Sequence, residues 1–83
     1  MYRIKLTAQA RKELKQIKKT YQDVIEAIFE DVKENPYAGK LLTRELSGKL
    51  SYKVSMFRII YTVNKKDKTV FILTAGHRAI VYK

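Results

Sequence analysis

Residues 52–63 read YKVSMFRIIYTV, and the parity of this run decides the fold. Successive side chains of a strand face opposite ways. Phe57, Ile59, Tyr61 and Val63 therefore share one face, while Arg58, Ile60 and Thr62 share the other. The aromatic face is the one suited to covering helices, which projects Arg58 onto the open face. Twelve residues exceed an ordinary strand of about 5 to 6, so the run is expected to break near Ser55 and Met56. Lys53 then folds back beside Arg58. The following NKKDK, residues 64–68, is a turn sequence, and TVFILTA, residues 69–75, is the strand it feeds. Together these make an antiparallel meander of three strands.

Upstream the period changes. YRIKL, residues 2–6, alternates apolar and basic residues and reads as a strand. Thr7 is placed to cap a helix starting at Ala8, whose apolar positions Ala10, Leu14 and Ile17 are surrounded by Arg11, Lys12, Lys15, Lys18 and Lys19. A second apolar stripe runs through Tyr21, Ile25, Ile28 and Val32, widened by Val24 and Phe29. Asp23, Glu26, Glu30, Asp31 and Glu34 fall outside it. Thr20 offers a second cap, which favours two helices over one bent helix. Asn35–Pro36 ends the second, because a residue before proline is driven away from helical geometry. Residues 36–49 are a connector holding Gly39 and Gly48, with Leu41, Leu42 and Leu46 available to tuck against the core. The expected fold is α+β: an N-terminal strand, a two-helix segment, then the meander, with about four strands in one domain over residues 1–83.

Eighty-three residues leave room for one modest core. With 46% hydrophobic residues and nine aromatics the chain is too apolar for a disordered tail. It shows neither a membrane-length apolar run nor a signal-peptide pattern. It has no cysteine, so packing alone must hold it, as in a cytoplasmic protein. The net charge of +10 is uneven. Residues 1–35 hold eight basic and six acidic residues, whereas residues 36–83 hold ten basic and two acidic. An excess confined to one half is the footprint of a polyanion-binding surface, nucleic acid foremost and an acidic protein second.

Three chemistries can be asked of such a cluster. One histidine, no cysteine and carboxylates on the outside of a helix do not make a metal site, so no metal and no cofactor are expected. No nucleophile elbow accompanies Asp67 and His77, so a Ser-His-Asp triad has no support. Phosphodiester chemistry fits better, because RNA supplies its own nucleophile in the 2′-hydroxyl. Arginine matches phosphate oxygens with its planar fork. Lysine, histidine or tyrosine can move protons where surrounding cations shift their pKa toward neutrality. Each residue also has a purely structural reading. Arg58 is equally at home as a solvated strand residue, His77 as a turn residue after Gly76, and Tyr82 as a ring that anchors the terminus. Lys65, Lys66 and Lys68 read as a solvated turn.

GHRAIVY at residues 76–82, FRIIYTV at 57–63 and the lead-in Leu46, Gly48, Tyr52, Lys53 together resemble the RelE/ParE superfamily of microbial toxins. The likeness runs through the whole chain in order. It implies a compact RNase-like fold and a cognate antitoxin as partner. For the RelE branch it also implies ribosome-dependent cleavage of mRNA in the A site, without a metal ion. On that pattern Arg58 and Arg78 correspond to the arginines that contact phosphate and transition state. Tyr82 corresponds to the tyrosine that orients the cleaved nucleotide, and Lys53 to a lysine that assists with protons. Lys49, His77 and Arg44 are the further RNA-binding candidates. Ser55 stands where many members carry a second basic residue, so Lys53, Lys49 and His77 all remain open as the general base. Two rival functions share the scaffold. One is a ParE-like inhibitor that binds DNA gyrase and cuts nothing; the other is a degenerate member that only binds antitoxin or RNA.

Overall fold

The computed structural model of the chain describes residues 1–41, 48–54 and 56–77. Strand β1 (Arg3–Leu6) leads into helix α1 (Ala8–Lys15), and a short 3-10 turn at Lys19–Tyr21 introduces helix α2 (Gln22–Glu34). Strands β2 (Lys40–Leu41), β3 (Leu50–Val54), β4 (Phe57–Asn64) and β5 (Thr69–His77) follow. The sheet order is β1-β5-β4-β3-β2, parallel between β1 and β5 and antiparallel elsewhere. The expected α+β order is therefore present, with four longer strands and a two-residue edge strand inside the stretch read as a connector. Leu42 and Leu46 of that connector lie outside the described residues.

Thr7 does more than cap α1. Its Oγ1 accepts the Ala10 N–H at 3.1 Å and lies 3.1 and 3.0 Å from the Ile72 and Leu73 carbonyls, while its own N–H donates to Ile72 at 3.1 Å. One residue thus ends β1, starts α1 and fastens both to β5. The predicted cap at Thr20 is not the one used. α2 starts one residue later, its N-cap is Tyr21, and no side chain caps it. The Gln22 amide instead holds the inter-helix link, donating to the Ile17 carbonyl at 3.1 Å and the Leu14 carbonyl at 3.4 Å.

One cluster forms the core. Ala10 of α1 and Ile25, Ile28 and Val32 of α2 pack on Leu50, Phe57, Ile59, Tyr61, Val70, Ile72 and Ala75 of the sheet. The helices thus cover the aromatic face of β4. Ile60 is buried as well, although alternation puts it with Arg58. It sits on the central strand between Ser51 and Thr74, so neighbours shield it on both sides. The other face is consequently less open at its centre than alternation implies, with exposed Lys53 and half-buried Arg58 at one end of it.

Tyr61 joins the core to the connector. Its ring is fully buried, its hydroxyl donates to the Pro36 carbonyl at 2.7 Å, and it accepts the Gly39 N–H at 3.1 Å. Gly39 has no alternative there, because a Cβ would stand 2.5 Å from that hydroxyl and 2.8 Å from the Ser51 carbonyl. Burial raises the Tyr61 pKa above its ordinary 10.0, with the Gly39 N–H acting in the opposite sense. The folded state holds this proton more tightly than the unfolded chain does. Its stabilising effect is therefore complete below about pH 10 and is lost as the pH climbs further. Tyr61→Phe leaves the buried Pro36 carbonyl and the part-buried Gly39 N–H without their partner and is expected to cost ~1–3 kcal/mol. In a domain of this size that lowers Tm by on the order of 10 °C, readable by thermal melts followed by circular dichroism.

Candidate functional site

Cross-strand register builds the site. Lys53 on β3 pairs directly with Arg58 on β4, and Arg58 pairs with Gly76 on β5. Directly opposed residues share a face with Cβ atoms ~4.5–5.5 Å apart, so the two cations stand side by side. Gly76 leaves the third position of that row without a side chain. Lys53 is exposed and Arg58 half-buried on the central strand, which fixes the guanidinium more firmly than the flexible ammonium.

The surrounding charge is one-sided. None of β3, β4 and β5 contains a carboxylate. Six of the eight acidic residues lie on the helices and Asp67 is in the β4–β5 turn, at the opposite end of β4 from Arg58; Glu45 lies outside the described residues. Asp67 is occupied in that turn, where its carboxylate accepts the Asn64 amide at 3.0 Å and its N–H donates to Asn64 Oδ1 at 3.1 Å. Asp31 is engaged on the helix side, accepting the Tyr52 hydroxyl at 2.9 Å. That bond, with burial and the carboxylate charge, raises the Tyr52 pKa and ties β3 to α2. Directly opposed like charges repel.

His77 does not join this row. It pairs with Phe57 and therefore belongs to the helix-facing side, with ring centroids 6.3 Å apart in a T-shaped contact. The expected convergence of Lys53, Arg58 and His77 on one surface is corrected accordingly: adjacency to Gly76 suggested it, and strand parity prevents it. Lys49 is half-buried one residue before β3, on the connector side of the pair. Lys65, Lys66 and Lys68 are exposed in the distant turn. Arg44, Arg78 and Tyr82 lie outside the described residues. Among the described residues no group of three or more metal-ligating side chains occurs, and no helix is long and apolar enough to cross a membrane.

Sequence reasoning missed a second feature at the same end of the sheet. Tyr21, read as part of the α2 core stripe, is 36% exposed. It stands 5.1 Å from Phe57, ring centroid to ring centroid. With Gln16, Lys18, Met56 and His77 these rings line a cleft of about 290 Å³. The signal available in the sequence was the break between helices, which takes Tyr21 out of the α2 stripe.

Comparison with known proteins adds the lineage. Residues 4–82 match the family model described as ParE toxin of type II toxin–antitoxin system. Toxin RelG of Mycobacterium tuberculosis is 33% identical over 84 residues, covering 99% of this chain and 97% of RelG. The toxin–antitoxin complex RelBE2 of the same organism contains a chain of similar structure, with TM-score 0.83 and 33% identity over 93% of this chain and 98% of that one. The isolated RelE toxin of E. coli superposes with TM-score 0.79 at 25% identity, over 99% and 92% of the two chains. A family match over almost the full length, joined to this identity with RelG, makes the chain a member of the ParE-toxin family within the RelE/ParE superfamily, a RelE-like toxin of a type II toxin–antitoxin system.

Proposed function

We propose that this toxin is a ribosome-dependent endoribonuclease that cuts mRNA in the A site through attack by the RNA 2′-hydroxyl. The observation that carries this reading is the Lys53–Arg58 pair, two opposed cations on a sheet end whose strands hold no carboxylate. The planar guanidinium fork beside an ammonium suits the oxygens of a phosphodiester.

The chemistry needs little from the protein. The 2′-oxygen attacks phosphorus in line, a 2′,3′-cyclic phosphate forms, and the bond to the 5′-oxygen breaks. One proton leaves the 2′-hydroxyl and one arrives on the departing oxygen. Arg58 and Arg78 hold the non-bridging oxygens as negative charge builds in the transition state. Lys53, beside the guanidinium, moves a proton, and Tyr82 orients the nucleotide being cut. Lys49 and Arg44 extend the backbone contacts. His77, on the other side of the sheet, meets RNA only where the strand crosses the sheet edge. All of this proceeds with side chains alone, without a metal ion or cofactor.

RelBE2 is a toxin–antitoxin complex, and by that likeness the partner of this toxin is an antitoxin protein that neutralises it by covering the basic face. The setting is the cytoplasm, where ribosomes, mRNA and antitoxin meet.

The test is primer extension on a defined mRNA, with purified toxin, in the presence and absence of ribosomes paused at a known codon. Cuts inside the A-site codon that require the ribosome support the reading. Uncut mRNA together with inhibited gyrase supercoiling would replace it by the ParE-like reading. Uncut mRNA with RNA or antitoxin binding intact would leave a binding protein.

A further inference from the structure

β1 stops at Leu6, opposite Ile72, and among the described residues no strand pairs with β5 on that side from Leu73 onward. Glu13 of α1 takes the strand's place there. Its Oε1 accepts the Thr74 hydroxyl at 2.6 Å and the Ala75 N–H at 3.2 Å. Beyond that point the helices stand off the sheet and leave the cleft of about 290 Å³. Phe57 lies between the Tyr21 ring at 5.1 Å and the His77 ring at 6.3 Å. Tyr21 and Met56 remain 36% and 40% exposed. Gly76 both lines this cleft and pairs with Arg58. The basic face and the aromatic cleft therefore meet at one position without a side chain.

We propose that the cleft is a nucleobase subsite, which takes the base of an mRNA nucleotide beside the phosphate held on Lys53 and Arg58. The proposal rests on the nuclease reading and adds a base-recognition element to it. Single-stranded RNA is read by splaying bases onto aromatic side chains and hydrogen-bonding their edges, and each stacked base contributes ~1–3 kcal/mol. The cleft offers both functions, with Tyr21, Phe57 and His77 as rings and the Gln16 amide and Lys18 ammonium as edge partners. Its size, at the lower end of small-molecule pockets, suits one base and little more. Continuity with a cationic face favours an anionic chain over a protein side chain as its occupant. Among the described residues, Gly76 is the position shared by the Arg58 row and the cleft.

The experiment titrates the full-length toxin with a ribotrinucleotide and with the same trinucleotide abasic at its centre, and follows side-chain signals by NMR. The base-containing ligand is expected to shift the Tyr21, Phe57 and His77 ring signals, and the abasic one to shift only those of Lys53 and Arg58. In parallel, Tyr21→Leu keeps apolar bulk but removes the stacking ring, and should reduce the spread of A-site cleavage rates across a codon panel by about tenfold. Ring signals indifferent to the base, with an unchanged codon profile in a toxin that still cuts, would overturn the subsite and leave the nuclease reading intact. Ring shifts in a toxin that cuts no mRNA would uphold the subsite and overturn the nuclease reading. Ring signals that move with antitoxin peptide but with neither trinucleotide would reassign the cleft to protein docking.

Discussion

Arg58→Ala is expected to slow A-site cleavage by ~10²-fold or more while leaving the thermal unfolding transition nearly in place. Removing one preorganised donor from developing transition-state charge costs about 10² to 10³ in rate. The effect on the fold should be small because Arg58 is only half-buried and stands outside the core cluster. Single-turnover cleavage on programmed ribosomes, read beside a thermal melt of the same preparation, separates the two quantities. A rate within about threefold of wild type would show that the guanidinium is not at the phosphate.

Ile28→Ala is expected to do the reverse. Ile28 is fully buried on α2, against the sheet. Truncating a buried isoleucine removes transfer free energy and leaves a cavity, for a loss of ~2–5 kcal/mol. Small domains have only about 5–15 kcal/mol in total, so this variant should denature at markedly lower urea and lose toxicity by unfolding, although Ile28 is remote from the basic pair. Chemical denaturation with an unchanged slope and a lower midpoint is the expected signature. A midpoint matching wild type would mean that α2 is not the lid of the core.

Much of the fold was legible because it follows from period and parity. The helices announce themselves through Ala10, Leu14 and Ile17 and through Ile25, Ile28 and Val32, and the β4–β5 turn through NKKDK. Alternation through Phe57, Ile59 and Tyr61 placed the core face correctly. What escaped depended on long-range pairing. Lys40–Leu41 is too short to have a period of its own, and only its pairing with β3 makes it a strand. The Thr20 cap failed because the link between helices closes through a 3-10 turn and the Gln22 side chain. Nothing local distinguishes that arrangement from a side-chain cap.

The site divides in the same way. Lys53 opposite Arg58 could be foreseen from a break near Ser55, since a two-residue connection fixes which residues pair. His77 could not be placed, because its face depends on the register of β5 against β4. That register sets Gly76, not His77, beside Arg58. The β4–β5 pairing also slips by one residue between Ile60 and Tyr61, a shift that no count along the sequence reveals. The cleft at Tyr21 was hidden for a related reason: an aromatic residue at helical spacing reads as core until the helix is known to start after it.

The central claim is that the scissile strand supplies its own nucleophile on this basic sheet face. It is tested most directly by programming ribosomes with an mRNA carrying a single 2′-deoxynucleotide on the 5′ side of the mapped cut. The all-ribo message is expected to be cut at that bond, leaving a 2′,3′-cyclic phosphate and a 5′-hydroxyl, and the deoxy-substituted message to stay whole there. Cleavage of the substituted bond at a comparable rate would contradict it, because the attacking oxygen would then have to come from elsewhere.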